Sequence, residues 1–310
     1  MKSSLKLSAL ALLMSATAAL AEYPEKPVEF VVPFPPGDLE DVVTRMIADK
    51  FQEMYGVPAA VVNKPGGGGG PFPGAVEVAG AEPDGYTVGS FVIDVPVVGP
   101  MIGIPELADN PFDPVGIFLT YPFVIATLES QPYDTWEELA AYGAENDVSL
   151  GHYGSFLAPT QVTFAAAQKT GWDFSSEAAF DLLDCNVLAS GDVDVVNATL
   201  QTLLPCIDDL KILASIGEER TPLTPDTPTV AEIEPDLTLA LWNGLFVPAG
   251  TPQEARDKIE AAAKAALETE AAQTLSRETG VQLYWKDAAQ AAAQIEADTA
   301  VNAQIQDLLK

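Results

Sequence analysis

The sequence predicts an α/β fold of two lobes facing each other across a cleft, and three observations predict it. Apolar runs of strand length alternate with helix-period stripes, the rhythm of sheets covered by helices. The rhythm runs from Val28 to Ile93 and begins again near Phe123. After Pro252 the chain is almost wholly helical, and the second run leaves no place for those helices, so the chain is expected to return to the first lobe. The lobes are therefore drawn at residues 22–124 with 237–310, and at 125–236. A chain of 310 residues, 48% apolar, can supply two such cores.

The elements follow in order. Val28 to Pro33 is β-branched and apolar, a buried strand that Pro35-Pro36-Gly37 breaks. From Leu39 to about Tyr55, Leu39, Val42, Val43, Met46, Ile47 and Met54 fall on one helical stripe. Ala59 to Val62 is a second strand, ended by Asn63-Lys64-Pro65 and five glycines, Gly66 to Gly70. A short helix, the Pro83-Asp84-Gly85 turn and a strand from Tyr86 to Ile93 complete the first run, which implies a parallel sheet. The second run has strands at Phe123–Thr127, Val148–Leu150, Val193–Val196 and Lys211–Ser215, with helices at Trp136–Glu145 and Pro159–Thr170. Leu237 to Val247 is a strand region, and helices follow at Pro252–Leu267, Gln273–Thr279 and Asp287–Leu309.

The N-terminus predicts export. Lys2 and Lys6 precede an apolar stretch, Leu7 to Leu20, too short for a bilayer span, and Ala19-Leu20-Ala21 fits the small-x-small cleavage rule. Cleavage is expected after Ala21. The formal net charge of −30 excludes a nucleic-acid or anionic-lipid partner, since no basic surface is available to neutralise phosphates. In an exported chain the even pair Cys185 and Cys206 predicts a disulfide, worth about 3 kcal/mol for a loop of this size, against the alternative of two buried thiols.

Several enzyme chemistries fail on their residue requirements. The glycine run does not end in Gly-Lys-Ser/Thr and follows the second strand, so it is neither a P-loop nor a dinucleotide fingerprint. His152 is the single histidine, which is too few for a common metal site. A hydrolase would have to use Ser155 and His152, three residues apart and without a Gly-x-Ser-x-Gly elbow. No cofactor is expected. The strand-loop-helix from Val31 to Arg45 does offer the unpaired N–H groups of a helix N-terminus, an ordinary place for an anion.

The residues Tyr23-Pro24-Glu25-Lys26-Pro27, Val31-Val32-Pro33-Phe34-Pro35-Pro36-Gly37, Asp41 and Arg45 resemble the receptors of tripartite tricarboxylate transporters, the TctC or Bug family. The likeness continues through Val62-Asn63-Lys64-Pro65-Gly66, Pro83-Asp84-Gly85-Tyr86-Thr87, Phe112-Asp113-Pro114-Val115 and Gly191-Asp192-Val193-Asp194. It is strongest at Pro225 to Glu232 and at Trp242 to Pro252. The resemblance implies a two-lobed periplasmic binding protein fold of type II-like form, acting as a monomer. It also implies a small organic solute, usually a carboxylate, held between loops of both lobes and passed to a membrane permease of one large and one small subunit. A receptor that shows its ligand to a membrane kinase would carry the same residues.

Strand ends and helix N-termini meet at the cleft in such folds. The expected ligand residues are accordingly Phe34, Pro35, Pro36, Gly37, Asp38 and Asp94 in the first lobe. In the second they are His152, Tyr153, Gly154, Ser155, Thr160, Asn197 and Thr199. The chain departs from the family pattern at Asp38, where a second glycine is usual. Asp38 is expected to cap the following helix, leaving the Gly37 and loop N–H groups for a ligand carboxylate; otherwise the ligand is neutral or carries an amine that pairs with Asp38 or Asp94.

Overall fold

The computed structural model describes residues 22–66 and 70–310; the expected cleavage point at Ala21 lies outside them. Two sheets form. The first begins with β1 (Val28–Val32), then α1 (Leu39–Tyr55), β2 (Ala59–Asn63), α2 (Phe72–Ala79), β3 (Thr87–Val92), the single turn α3 (Asp94–Val97) and β4 (Phe112–Thr120). The chain then crosses to a second sheet. That sheet holds β5 (Phe123–Leu128), α4 (Trp136–Gly143), β6 (Ser149–His152), α5 (Ala158–Lys169) and β7 (Ser176–Ala179). It continues through α6 (Cys185–Ala189), β8 (Val195–Thr199), α7 (Leu200–Leu203) and β9 (Leu210–Ile216), with α8 (Val230–Ile233) on the way back. The chain returns to the first sheet as β10 (Trp242–Pro248), α9 (Gln253–Leu267), α10 (Glu270–Thr279), β11 (Gln282–Asp287) and α11 (Ala288–Leu308).

The strand orders are β11-β4-β10-β3-β1-β2 and β7-β6-β8-β5-β9. The first crossing falls at residues 121–122, just before the expected boundary, so Phe123 and Val124 belong to the second sheet. The parallel sheet implied by the first run is found for β1, β2 and β3, but neither sheet is parallel throughout. β1 runs parallel to β2 and β3, and β6 to β7 and β8, but β10 is antiparallel to both its neighbours, as is β5. Each of these two strands is the one the chain enters immediately after crossing between sheets, so it runs back through the middle of its sheet instead of following a helix on the same face.

Local chemistry accounts for most elements. In α1 the buried face is Leu39, Val43, Ile47 and Phe51, while Met54 is 43% exposed; Phe51 takes the place the stripe gave to Met54. Gly56 ends α1 in the left-handed region, the usual glycine C-cap. Capping boxes open α8 at Thr229/Glu232 and α11 at Asp287/Gln290. β4 carries Pro114 and Gly116, which hide it from a strand pattern; its pairing with β10 shifts register twice there, and the irregularities accommodate the proline. The long α11 packs on β4 and also on α5, and Gln306 Nε2 donates to Gln161 Oε1 at 2.9 Å, so the last helix touches both lobes. Among the described residues, no helix is long and apolar enough to cross a membrane. Cys185 and Cys206 are joined by a disulfide that ties α6 to the turn after α7, with Cα atoms 6.0 Å apart.

Candidate functional site

The loop after β1 is held by one acid. Asp41 accepts from Gly37 N–H at 2.9 Å, from Arg45 Nε at 3.0 Å and Nη2 at 2.8 Å, and from Asn63 Nδ2 at 2.8 Å. Asn63 also donates to the Phe34 carbonyl at 3.0 Å, so the tip of β2 and the first turn of α1 clamp the loop between them. Burial alone would raise Asp41, but the bonds from Arg45, Asn63 and Gly37 outweigh it and hold the carboxyl below its usual range. Gly37 sits at φ +101°, which only glycine adopts freely, and a side chain there would meet nothing; the backbone turn alone demands the glycine.

Asp38 stands at the N-cap of α1 but makes no capping hydrogen bond. The expected arrangement is thus overturned on both counts: Asp38 does not cap, and Gly37 N–H is donated to Asp41 instead of remaining open. Reach explains the second: Asp41, one turn on, folds back over the loop and takes the Gly37 N–H.

Beneath the loop runs a buried polar chain. Thr44 Oγ1 and Ser90 Oγ lie 2.8 Å apart, and Asn243 Nδ2 donates to Ser90 Oγ at 2.7 Å. Tyr121 Oη lies 3.3 Å from Asn243 Oδ1 and donates to Glu40 Oε2 at 3.0 Å. Glu40 is thereby fixed although only 4% exposed. Desolvation, with Asp38 adding repulsion, pushes the Glu40 carboxyl well up, and desolvation followed by Asp41 raises Asp38.

Across the cleft, α5 opens with Ala158, whose N–H donates to Asp94 Oδ1 at 2.7 Å. Asp94 belongs to the first lobe, so this bond joins the lobes. Burial lifts the Asp94 carboxyl to about 6 despite that bond.

These groups enclose a cavity of about 90 Å3 between the sheets. At roughly 10–15 Å3 per water on such a measure, it has room for a small molecule. Of the expected residues, Phe34, Pro35, Asp38, Asp94, Tyr153 and Thr199 line it. Pro36 and Gly37 are exposed beside it. Neither Gly154 nor Ser155 lines it, and the Ser155 carbonyl accepts from Gln161 Nε2. His152 does not line it either: its ring is 2% exposed, with Nε2 3.1 Å from Glu177 Oε2 on β7. Asn197 is wholly buried, donating to the Pro159 carbonyl and Thr163 Oγ1, and Thr160 is buried with its hydroxyl unpartnered. These three belong to the second lobe's own packing: β6 turns His152 toward β7, β8 turns Asn197 toward α5, and Thr160 is buried on α5 itself.

The expected ligand set leaves out Glu40, Tyr121, Phe123, Asp181 and Trp242, all of which line the cavity. Tyr121 and Phe123 flank the chain crossing, a signal the strand pattern held but did not interpret. A larger opening of about 380 Å3 adjoins the first, lined by Pro33, Phe34, Pro65, Tyr153, Phe180 and Asp181.

Known proteins resemble this chain in sequence and in fold. The sequence profile described as tripartite tricarboxylate transporter family receptor matches residues 43–308. A Pseudomonas sp. protein, described as the UPF0065 protein in the tcbD-tcbE intergenic region, is 29% identical over 82% of this chain and 78% of its own. Protein BugT of Bordetella pertussis is 28% identical over 77% of this chain and 75% of its own. A solved structure described as a periplasmic transporter superposes with a TM-score of 0.79 at 26% identity, covering 93% of this chain and 97% of the other. The periplasmic binding protein BugD shares the fold, with a TM-score of 0.79 at 24% identity over 92% and 98% of the two chains.

Proposed function

The chain belongs to the tripartite tricarboxylate transporter receptor family, and from that premise we propose that it binds one small organic solute in the cavity between its lobes. It is a periplasmic receptor that delivers a small solute to a permease of that transporter type, and not an enzyme. In this reading the leader is removed after Ala21, and Phe34, Pro35, Asp38 and Asp94 meet the solute from one lobe while Tyr153 and Thr199 meet it from the other. The observation that carries the reading is that the cavity is lined from both lobes, so a solute in it contacts both and favours their closure. The family resemblance implies a carboxylate. Against that, Asp38, Glu40, Asp94 and Asp181 all line the cavity and, among the described residues, no Lys, Arg or His does, so a purely anionic solute meets no counter-charge.

The test is to purify the exported protein from periplasm, identify any co-purified solute by mass spectrometry, and titrate it back by calorimetry. One solute per chain, unchanged on recovery, is expected. Thr199→Trp, which fills the cavity, should abolish binding while the fold persists; a variant that still binds with wild-type affinity would move the site elsewhere.

A further inference from the structure

We propose that the solute is a small organic cation or zwitterion whose positively charged nitrogen sits against Asp38 and Glu40, between the rings of Tyr121, Phe123 and Tyr153. The inference rests on the receptor reading and on the inter-lobe cavity as its site.

Two of the backbone donors that could greet an anion are already used. Gly37 N–H goes to Asp41 in the first lobe, and the Ala158 N–H at the α5 N-terminus goes to Asp94. Each loop that could offer backbone hydrogen to a ligand carboxylate has instead drawn in a carboxylate of the chain. The charged side chains that remain facing the cavity are all carboxyl groups, beside the neutral hydroxyls of Tyr153 and Thr199 and the amide of Gln201. Glu40 receives Tyr121 Oη, and Asp38 receives no hydrogen bond from any described residue. The adjacent cation, Arg45, is engaged with Asp41 and Asn63 and is 45% exposed on the outer side. A ligand anion would therefore enter among four carboxyl groups with its own charge uncompensated, which is costly in a desolvated site.

The walls supply the second, independent half of the argument. Tyr121 and Phe123 meet edge to face with centroids 6.2 Å apart at 78°, and Phe123 and Tyr153 do so at 6.1 Å and 80°. Aromatic rings set around a carboxylate suit an alkylammonium group, which gains from both charge and ring quadrupole while its carbons fill apolar space. A bare metal ion does not suit the same walls, since among the described residues no group of three His, Cys, Asp or Glu side chains is disposed to hold one.

Burial and mutual repulsion raise Asp38 and Glu40 in the unliganded chain, and a bound cation would let them ionise. Cation affinity should therefore increase as pH rises, and anion affinity should fall. The titratable groups around the pair are Asp41 on α1, Tyr121 after β4, Asp94 on α3 and Tyr153 after β6, with Asp181 on the same cavity, and none of them brings positive charge.

A four-carbon series that differs only in its end groups decides the matter: putrescine, 4-aminobutyrate, 1,4-butanediol and succinate, titrated into the mature protein in about 0.15 M salt to screen surface charge. Putrescine or 4-aminobutyrate should bind and raise the melting temperature, more strongly toward alkaline pH. Asp38→Asn and Glu40→Gln should each weaken that binding by about tenfold or more. Asp38→Asn removes no hydrogen bond of the described chain, so it separates ligand contact from folding. Succinate binding that Thr199→Trp abolishes would overturn the cation while leaving the receptor intact. Ammonium binding unaffected by either acid variant would also overturn it, since the attraction would then be diffuse. Failure of the whole series, with a different and anionic solute found on the periplasmic protein, overturns the charge assignment alone; failure of every solute overturns both readings.

Discussion

The two loops that meet at the cleft are built alike and filled differently. Each follows a strand, each leads into a helix N-terminus, and in each a backbone N–H goes to a carboxylate of the chain. In the first loop the acid is Asp41, one turn further along the same helix. In the second it is Asp94, from the opposite lobe. The first arrangement persists whatever the lobes do, because donor and acceptor move together. The second exists only while the lobes are in register. The same local chemistry therefore gives a fixed scaffold on one side and a separable contact on the other.

The largest effect that would sharpen the contrast is at Asp41. Asp41→Ala removes the bonds from Gly37, Arg45 and Asn63 to this acid, leaving only the Asn63 bond to the Phe34 carbonyl to hold the loop and only Asn63 to engage Arg45; a loss of about 2–4 kcal/mol in urea denaturation is expected. A loss no larger than that of an ordinary surface substitution would remove the scaffold side of the comparison.

A smaller effect concerns pH. Asp38, Glu40 and Asp94 are raised in the folded chain, so the folded state holds their protons more tightly than the unfolded state does. The stability they contribute is fully present below the ordinary carboxylate range and is lost as pH rises through the raised values. The unliganded protein should thus melt lower at about pH 8 than at about pH 5 on account of this cluster. Glu40→Gln should recover at least about 1.4 kcal/mol at the alkaline end, the equivalent of one pKa unit. A Glu40→Gln variant with the same pH slope as the parent would show that the cluster does not govern it.

The smallest effect on stability should come from Asp94→Ala, within about 1 kcal/mol, because the lost bond is partly offset by removing a buried acid. Its signature is shape instead: solution scattering of the unliganded protein should show a larger radius of gyration than the parent. An unchanged radius would mean that Asp94 does not help to hold the lobes together.

The sequence made some of this legible and concealed the rest for definable reasons. Strands such as Val28–Val32 and helices such as Gln253–Leu267 follow from periodicity, and the interrupted rhythm pointed to a chain that leaves its first sheet and returns. β4 escaped because Pro114 and Gly116 lie in a strand whose irregular pairing makes room for them. In the site, Asp38 could be read as an acid at a helix start and Asp94 as one at a strand end, but the partner each would choose depends on distances no spacing encodes. His152 looked like a ligand residue in a loop; it ends β6 and faces Glu177. Glu40 is the instructive omission. An acid in the first turn of a helix is ordinarily a favourable surface charge, and only the placement of Tyr121 from the chain crossing makes it a buried one.

The Asp94–Ala158 bond also bears on how such a receptor is read by its membrane partner. The bond joins the lobes without any solute taking part, so part of the free energy of closing is written into the chain itself. A permease that recognised the closed outline alone would then accept some unloaded receptors as cargo carriers, and these would occupy its docking surface without feeding transport. Economical uptake through such a partner requires it to sense more than the outline, or the concentration of loaded receptor to exceed that of the self-closed form.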